Sequence, residues 1–140
     1  MRAEIVAALA SLSDVEYQRT HWLNPKSPDS LDQCVHALYD DAAVLPNPEA
    51  SVGATVREVE VEALRQVDRV FGPLIDELGD VADEVYLADR RWPAIAASAE
   101  FALRIMNADR IAGRKLYRLP VVHRIKRLVS RAWTRGAGVE

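Results

Sequence analysis

Apolar residues recur every three or four positions along most of the chain, and this spacing predicts helices. The longest stripe starts near Glu58 and comprises Val61, Leu64, Val67, Val70, Phe71, Leu74, Ile75 and Leu78. Gly79 follows it, where a glycine with positive φ commonly ends a helix. Pro73 lies inside the stripe, so we expect a kink or a break near residues 70–72, because proline lacks the backbone N–H.

Shorter stripes predict helices on both sides of this segment. Their members are Ile5, Val6, Leu9 and Leu12 in the first stripe, and Ile95, Ala99, Ala102, Leu103 and Met106 in the last. Residues 13–16 and 30–33 match the capping-box pattern, so we expect helices to start at Ser13 and Ser30. The helix after Ser30 should end near Asp41, and Asp89 is placed to cap the helix that contains Pro93.

Two segments lack the helical period. Residues 42–56 are rich in proline, asparagine and glycine and predict a structured loop. We interpret residues 80–89 as an acidic linker in which Val85, Tyr86 and Leu87 turn inward. Because no set of alternating strands occurs, the predicted fold class is all-α. The expected architecture is a compact bundle of about five to six helices with one Pro/Gly loop and a basic amphipathic C-terminal helix.

Charge divides the chain into two parts. Residues 1–108 contain 9 Lys/Arg and 19 Asp/Glu, a balance of −10, whereas residues 109–140 contain 9 Lys/Arg and 2 Asp/Glu, a balance of +7. We therefore predict an acidic helical domain over residues 1–108 and a basic helical extension over residues 109–140, docked on the same domain. The cations of the last helix lie outside its apolar stripe, at Arg124, Lys126, Arg127, Arg131 and Arg135.

The common catalytic motifs are missing from the sequence. It has neither a glycine-rich phosphate loop nor a nucleophile elbow nor a paired CxxC, so we expect a non-catalytic protein without cofactor or metal. The single cysteine, Cys34, excludes an internal disulfide and favours a reducing cytoplasm. Cys34, His36 and Asp40 form a metal-type cluster: His36 and Asp40 have the four-residue spacing of two metal ligands, and His21 is a candidate for a further ligand. We expect only a hydrogen bond between His36 and Asp40, with Cys34 packed as a small apolar residue.

Carboxylates cluster at the predicted ends of two helices. Two belong to one helix end and five to the other: Asp40 and Asp41, then Asp76, Glu77, Asp80, Asp83 and Glu84. Because a helix C-terminus already carries a negative partial charge, such clusters are locally unfavourable. They form either a solvated acidic face or a contact surface for a basic protein, and our hypothesis is the contact surface. Trp22 and Trp92 are expected by default to pack in the core; the alternative is an interface anchor, for which Trp92, beside two arginines, is the better candidate.

The basic extension leaves several alternatives open. Its apolar face can dock on the bundle while its arginines pair with the acidic domain. It can also bind a protein partner or a second copy of the chain, whose oligomeric state the sequence does not determine. An anionic membrane or a nucleic acid would bind the same cations.

Several segments resemble a known group of proteins. They are Leu38-Tyr39-Asp40-Asp41, Val44-Leu45-Pro46-Asn47-Pro48, Gly72-Pro73-Leu74-Ile75, Tyr86-Leu87-Ala88-Asp89 and Trp92-Pro93. The group consists of small actinobacterial proteins, some of which resemble immunity proteins of polymorphic or contact-dependent toxins, and the similarity covers residues 1–108. The resemblance implies a protein that covers a toxin's active site or blocks its access to substrate, and it carries no catalytic residues over to this sequence.

Two functions follow from these observations. The leading hypothesis is a non-catalytic cytoplasmic binding protein, an immunity protein that neutralises a basic toxin or another protein through its acidic surface. The alternative is a regulatory or scaffold protein whose basic C-terminal helix, within residues 110–140, binds an anionic membrane or a nucleic acid.

Overall fold

The computed structural model describes the backbone of residues 1–114 and the side chains of residues 1–108. The chain divides into two compact units, residues 1–103 and residues 104–140, and every contact described here lies within the first unit. The helices are α1 (Arg2–Ser13), α2 (Val15–Tyr17), α3 (Leu31–Val35), α4 (Val61–Leu78), α5 (Asp83–Ala88) and α6 (Trp92–Arg114). No strand occurs in the described residues, where the only β-type pairing is an isolated bridge between Val52 and Val56. The predicted all-α class is confirmed.

Both short N-terminal helices continue as π-helical turns. The turn after α2 covers Gln18–Trp22, and the turn after α3 covers His36–Asp41, so that this helix ends where predicted. Ser30 caps α3 by accepting a hydrogen bond from the Gln33 N–H, as expected. The predicted cap at Ser13 is wrong, because Asp14 accepts the capping bond from the next helix while the Ser13 hydroxyl turns back into α1.

The longest apolar stripe forms α4, which a 3₁₀ turn at Glu58–Glu60 precedes. Gly79 ends the helix with φ 61° and donates its N–H to the carbonyl oxygen of Ile75, 2.8 Å away. The predicted division of the helix near residues 70–72 is wrong, since α4 runs through them and through Pro73. The alternative, a kink, stays a prediction. Proline removes one backbone hydrogen bond, whereas Phe71 and Leu74 on either side are fully buried and hold both halves in one helix.

The two segments without helical period differ in outcome. Residues 42–56 form a structured loop, as predicted, with a 3₁₀ turn at Pro48–Ser51. The linker expected over residues 80–89 is wrong, because α5 occupies most of it, with acidic residues in its first turn, where the helix dipole favours them. Within α5 Tyr86 is buried, but Val85 is 45% exposed and not turned inward.

An aromatic cluster forms the centre of the core. The Trp92 ring lies edge-on to the rings of Phe71, Tyr86 and Trp22, at centroid distances of 5.9, 6.4 and 6.0 Å. Its indole N–H donates to the side-chain oxygen of the fully buried Gln18, 2.9 Å away. Trp92 is 2% exposed, which confirms the default expectation of core packing; the alternative of a partly exposed anchor is wrong. The indole packs inside because its one polar group has a buried acceptor.

A buried carboxylate joins the start of α1 to the start of α4. Glu60 is fully buried, and both of its oxygens accept hydrogen bonds from the Arg2 guanidinium. The backbone N–H of Arg57 donates to the same carboxylate at 2.8 Å. The hydrogen bond with Glu60 raises the pKa of Arg2, so the guanidinium keeps its proton.

Candidate functional site

The structure places the seven predicted carboxylates in different surroundings. Three have partners within the fold: Asp40 Oδ2 lies 2.6 Å from His36 Nδ1, Glu77 pairs with Arg91, and Asp83 accepts the backbone N–H of Leu31. The other four make no hydrogen bond or ion pair with any residue among 1–108: Asp41, Asp76, Asp80 and Glu84. These four carboxylates are therefore available to an external cation.

Asp40 and Asp76, from the two predicted clusters, line one groove, which we call the acidic groove. It has a volume of about 570 Å³ and lies between the π-helical turn His36–Asp41 and the second half of α4. Its polar lining is Tyr39, Asp40, Asp68, Arg69 and Asp76, and its remaining lining is Val35, Pro46, Gly72, Pro73 and Ile75. Asp41 faces away from this groove and lines a different one, so the adjacent Asp40 and Asp41 do not act together.

Residues at helical spacing on α4 form the floor of the acidic groove. Asp68, Gly72 and Asp76 follow one another at four-residue intervals, which places them along one face of α4. The Tyr39 hydroxyl donates to Asp68 Oδ1 at 2.8 Å, which fixes the carboxylate in place. Burial and the bond to Asp68 raise the pKa of Tyr39, so the hydroxyl keeps its proton and remains a donor.

Gly72 keeps the groove open. A Cβ at this position would lie 2.9 Å from Asp68 Oδ1, closer than non-bonded side-chain atoms normally approach. Any larger residue would therefore push the Asp68 carboxylate out of its position beside Tyr39. The absence of a side chain at Gly72 and the anchored Asp68 carboxylate together define the shape of the floor.

Negative charge dominates the acidic groove. Asp40, Asp68 and Asp76 contribute three carboxylates, and Arg69 contributes one guanidinium. That guanidinium is directed along α4 toward the preceding turn, where it donates to Gln66 and lies 3.7 Å from Glu62. Asp68 Oδ2 and Asp76 have no cation among the described residues. The groove therefore attracts a positively charged group.

The second groove lies between α1 and α3 and has a volume of about 440 Å³. Its wall includes Asp41 and the pair formed by Tyr17 and Asp29, whose hydroxyl-to-carboxylate distance is 2.6 Å. Cys34 also lines it, but its thiol donates to the Ala8 carbonyl and burial raises its pKa to about 12. At neutral pH the thiol is protonated, so it is a poor nucleophile.

The predicted metal-type residues do not form a metal site. His36 lies between Asp32 and Asp40 on the surface, while the buried Cys34 points to α1. His21 stacks on the Tyr17 ring at a centroid distance of 4.1 Å. No group of three metal-binding side chains occurs within residues 1–108. The expectation that Cys34 packs and that His36 bonds Asp40 is confirmed.

The predicted basic helix is outside the part of the chain that the structure describes. This applies to Arg124, Lys126, Arg127, Arg131 and Arg135 and to the expected docking of residues 109–140. Among the described residues, no helix combines the length and the apolar composition needed to cross a bilayer. The alternatives for the basic extension therefore stay predictions.

Among the lining residues that were not predicted from the sequence, three shape the floor of the acidic groove: Tyr39, Asp68 and Gly72. A usable signal for two of them was present, because Asp68 and Gly72 precede Asp76 at intervals of four residues. For Tyr39 no local signal exists, since its partner lies 29 positions away in the chain.

Comparison with known proteins identifies a family without an assigned activity. The model of a domain of unknown function, DUF7945, matches residues 1–112. No curated protein and no solved structure is significantly similar to the chain. The family description names no activity, so the resemblance to immunity proteins stays a prediction. Because the match covers most of the 140 residues, the protein belongs to the DUF7945 family.

Proposed function

We propose that this protein binds and neutralises a basic protein partner by occlusion, as an immunity protein does to a toxin. The observation that carries the proposal is the set of four predicted carboxylates without a counter-ion among residues 1–108: Asp41, Asp76, Asp80 and Glu84. Unlike Glu77, which pairs with Arg91 at the surface, these four carboxylates add no ion pair to the fold of residues 1–108.

Electrostatic steering supplies the physical basis. Residues 1–108 contain 19 acidic and 9 basic side chains, so the domain attracts a basic protein over several ångströms before contact. Complementary charge raises the association rate and discriminates between partners more than it raises the final affinity. The apolar part of the acidic groove, including Val35 and Ile75, adds a surface that excludes water at contact.

Two features support a binding role rather than a catalytic one. The Cys34 thiol is buried, and its pKa of about 12 leaves it protonated at neutral pH. His36 is engaged with Asp32 and Asp40, and about half of its side chain is exposed to solvent. A free buried thiol is also compatible with the cytoplasm, where we propose that the protein acts.

The test starts from the full chain in its native host. Chemical cross-linking followed by mass spectrometry identifies the partner, which is then purified and mixed with the purified chain. We expect the partner's activity to fall in proportion to the added protein and to vanish at a one-to-one ratio. A partner that stays active when it is saturated with the protein would contradict neutralisation.

Charge reversal then tests the surface. The double variant Asp41→Lys/Asp80→Lys should slow association at low salt by about tenfold and reduce the dependence of the rate on salt. The control is Glu16→Lys with Arg19→Glu, which reverses two exposed charges of α2 and its π-helical turn without a net change. An association rate that is equal for all three proteins would exclude the acidic surface.

A further inference from the structure

We propose that the acidic groove receives one arginine side chain of the protein partner. This inference rests on the proposed function and names the contact that would give the interface its specificity. A groove of about 570 Å³ is within the range of small-molecule pockets, and it accommodates one long side chain rather than a whole helix.

The charged end of the groove suits a guanidinium. Asp68 presents its Oδ2 from a position that the Tyr39 hydroxyl fixes through Oδ1. Asp76 lies two helical turns further along the same face of α4 and has no partner within residues 1–108. A guanidinium carries five N–H donors in a planar fork, so it can bond the Asp68 carboxylate while the unpaired charge of Asp76 attracts it from the same side of α4. A single ammonium group lacks this fork.

The uncharged lining suits the stem of the same side chain. Val35, Pro46, Pro73 and Ile75 provide aliphatic surface beside the carboxylates. Arginine buries its methylene groups against such surface while its head stays with polar partners. A metal ion or a small inorganic cation would use the carboxylates but leave this apolar surface unfilled.

The guanidinium of Arg69 does not occupy the position that we propose for the partner's guanidinium. Arg69 belongs to the lining, but it is directed toward Gln66 and Glu62, on earlier turns of α4. Gly72 keeps the space beside Asp68 free of protein atoms that would block an incoming side chain. The charge, the apolar lining and the space thus point to one occupant.

The experiment titrates the full chain with a short peptide that has one arginine flanked by glycines, followed by amide NMR. We expect chemical-shift changes at Tyr39, Gly72 and Ile75. The same peptide with citrulline, which is neutral and nearly the same shape, should produce none. Asp76→Asn should weaken binding about tenfold, because it removes one of the unpaired negative charges that attract the guanidinium. Asp80→Asn, with the same change of charge outside the groove, should weaken it less than about twofold.

A second variant protects the result against loss of fold. Gly72→Ala favours the helix but places a methyl group against Asp68 Oδ1, so it should keep the helical circular dichroism and lose peptide binding. Shift changes that map to the second groove, beside Glu4 and Asp41, would overturn the inference, as would equal binding of the citrulline peptide. Neither result would contradict the proposed function, which is tested separately by the inhibition of the partner and by the association rate of Asp41→Lys/Asp80→Lys.

Discussion

Two carboxylates in and beside α4, Glu60 and Asp68, have opposite surroundings. Glu60 is fully buried, and the Arg2 guanidinium and the Arg57 N–H satisfy it inside the fold. Asp68 is half-buried and accepts one bond from the uncharged Tyr39 hydroxyl, with no cation among the described residues. The Glu60 carboxylate is part of an ion pair that stabilises the fold, whereas the Asp68 carboxylate is held in position by a hydrogen bond that leaves its negative charge uncompensated.

This difference separates residues that maintain the fold from residues that are available to a partner. Removing the cation from Glu60 would leave a charge in the interior without its counter-ion, at high cost in stability. Removing the hydroxyl from Asp68 would leave a carboxylate that water still reaches. Stability measurements can therefore test the comparison, since the two sites should respond very differently to the loss of one partner.

The largest effect is expected for Arg2→Met, which keeps most of the aliphatic stem and removes the cation from Glu60. We expect the free energy of unfolding to fall by about 3 kcal/mol, at the lower end for a broken buried pair because Arg2 is partly exposed. Urea denaturation at pH 7 measures the change. Arg19→Met, at an exposed position, serves as control and should change stability by less than about 0.5 kcal/mol.

A comparison of two tryptophans extends the test to neutral polar groups. The Trp92 indole N–H donates to the buried Gln18, whereas the buried Trp22 N–H has no hydrogen-bond partner in the described residues. Trp92→Phe should therefore lower the free energy of unfolding by about 1–2 kcal/mol more than Trp22→Phe, because it leaves the Gln18 oxygen unpaired. Equal losses in thermal denaturation would mean that the hydrogen bond contributes nothing beyond packing.

A smaller effect is expected for Tyr39→Phe. The variant keeps the edge-on contact between ring 39 and Phe71 and removes only the hydroxyl, so stability should fall by about 1 kcal/mol or less. Arginine-peptide binding should fall as well, since the Asp68 carboxylate is then free to turn. A loss of stability as large as that of Arg2→Met would mean that Asp68, like Glu60, maintains the fold, and would contradict the distinction between the two carboxylates.

The smallest effect concerns a carboxylate that pairs with a cation at the surface. Hydrogen bonds from Arg91 lower the pKa of Asp89 to about 2, from an ordinary value of 3.8. Because the folded-state pKa is the lower one, this contribution to stability is present above about pH 4 and is lost as the pH falls toward about 2. As the pH is lowered between these limits, the free energy of unfolding of Asp89→Asn should fall less than that of the parent protein, as measured by urea titrations. Parallel pH profiles would contradict the assignment.

Local spacing in the sequence predicted the helices well and the acidic groove only in part. The stripe of α4 is long and regular enough to locate its end at Gly79. Core packing of Trp92 was the default expectation, but its buried acceptor could not be predicted, because Gln18 is 74 positions away. Two neighbouring arginines favoured the alternative of partial exposure. α5 was mistaken for a linker because its acidic first turn resembles one, although carboxylates are favourable at a helix N-terminus.

The groove and the core share a row of rings. Tyr39, whose hydroxyl fixes Asp68, lies edge-on to Phe71 at 6.3 Å, and Phe71 lies edge-on to Trp92 at 5.9 Å. Because the floor of the acidic groove is continuous with densely packed side chains, the groove loses little conformational entropy when a ligand fills it. The entropy lost on association would then fall mainly on the incoming arginine, and a stiffer partner loop should bind more tightly without any new contact.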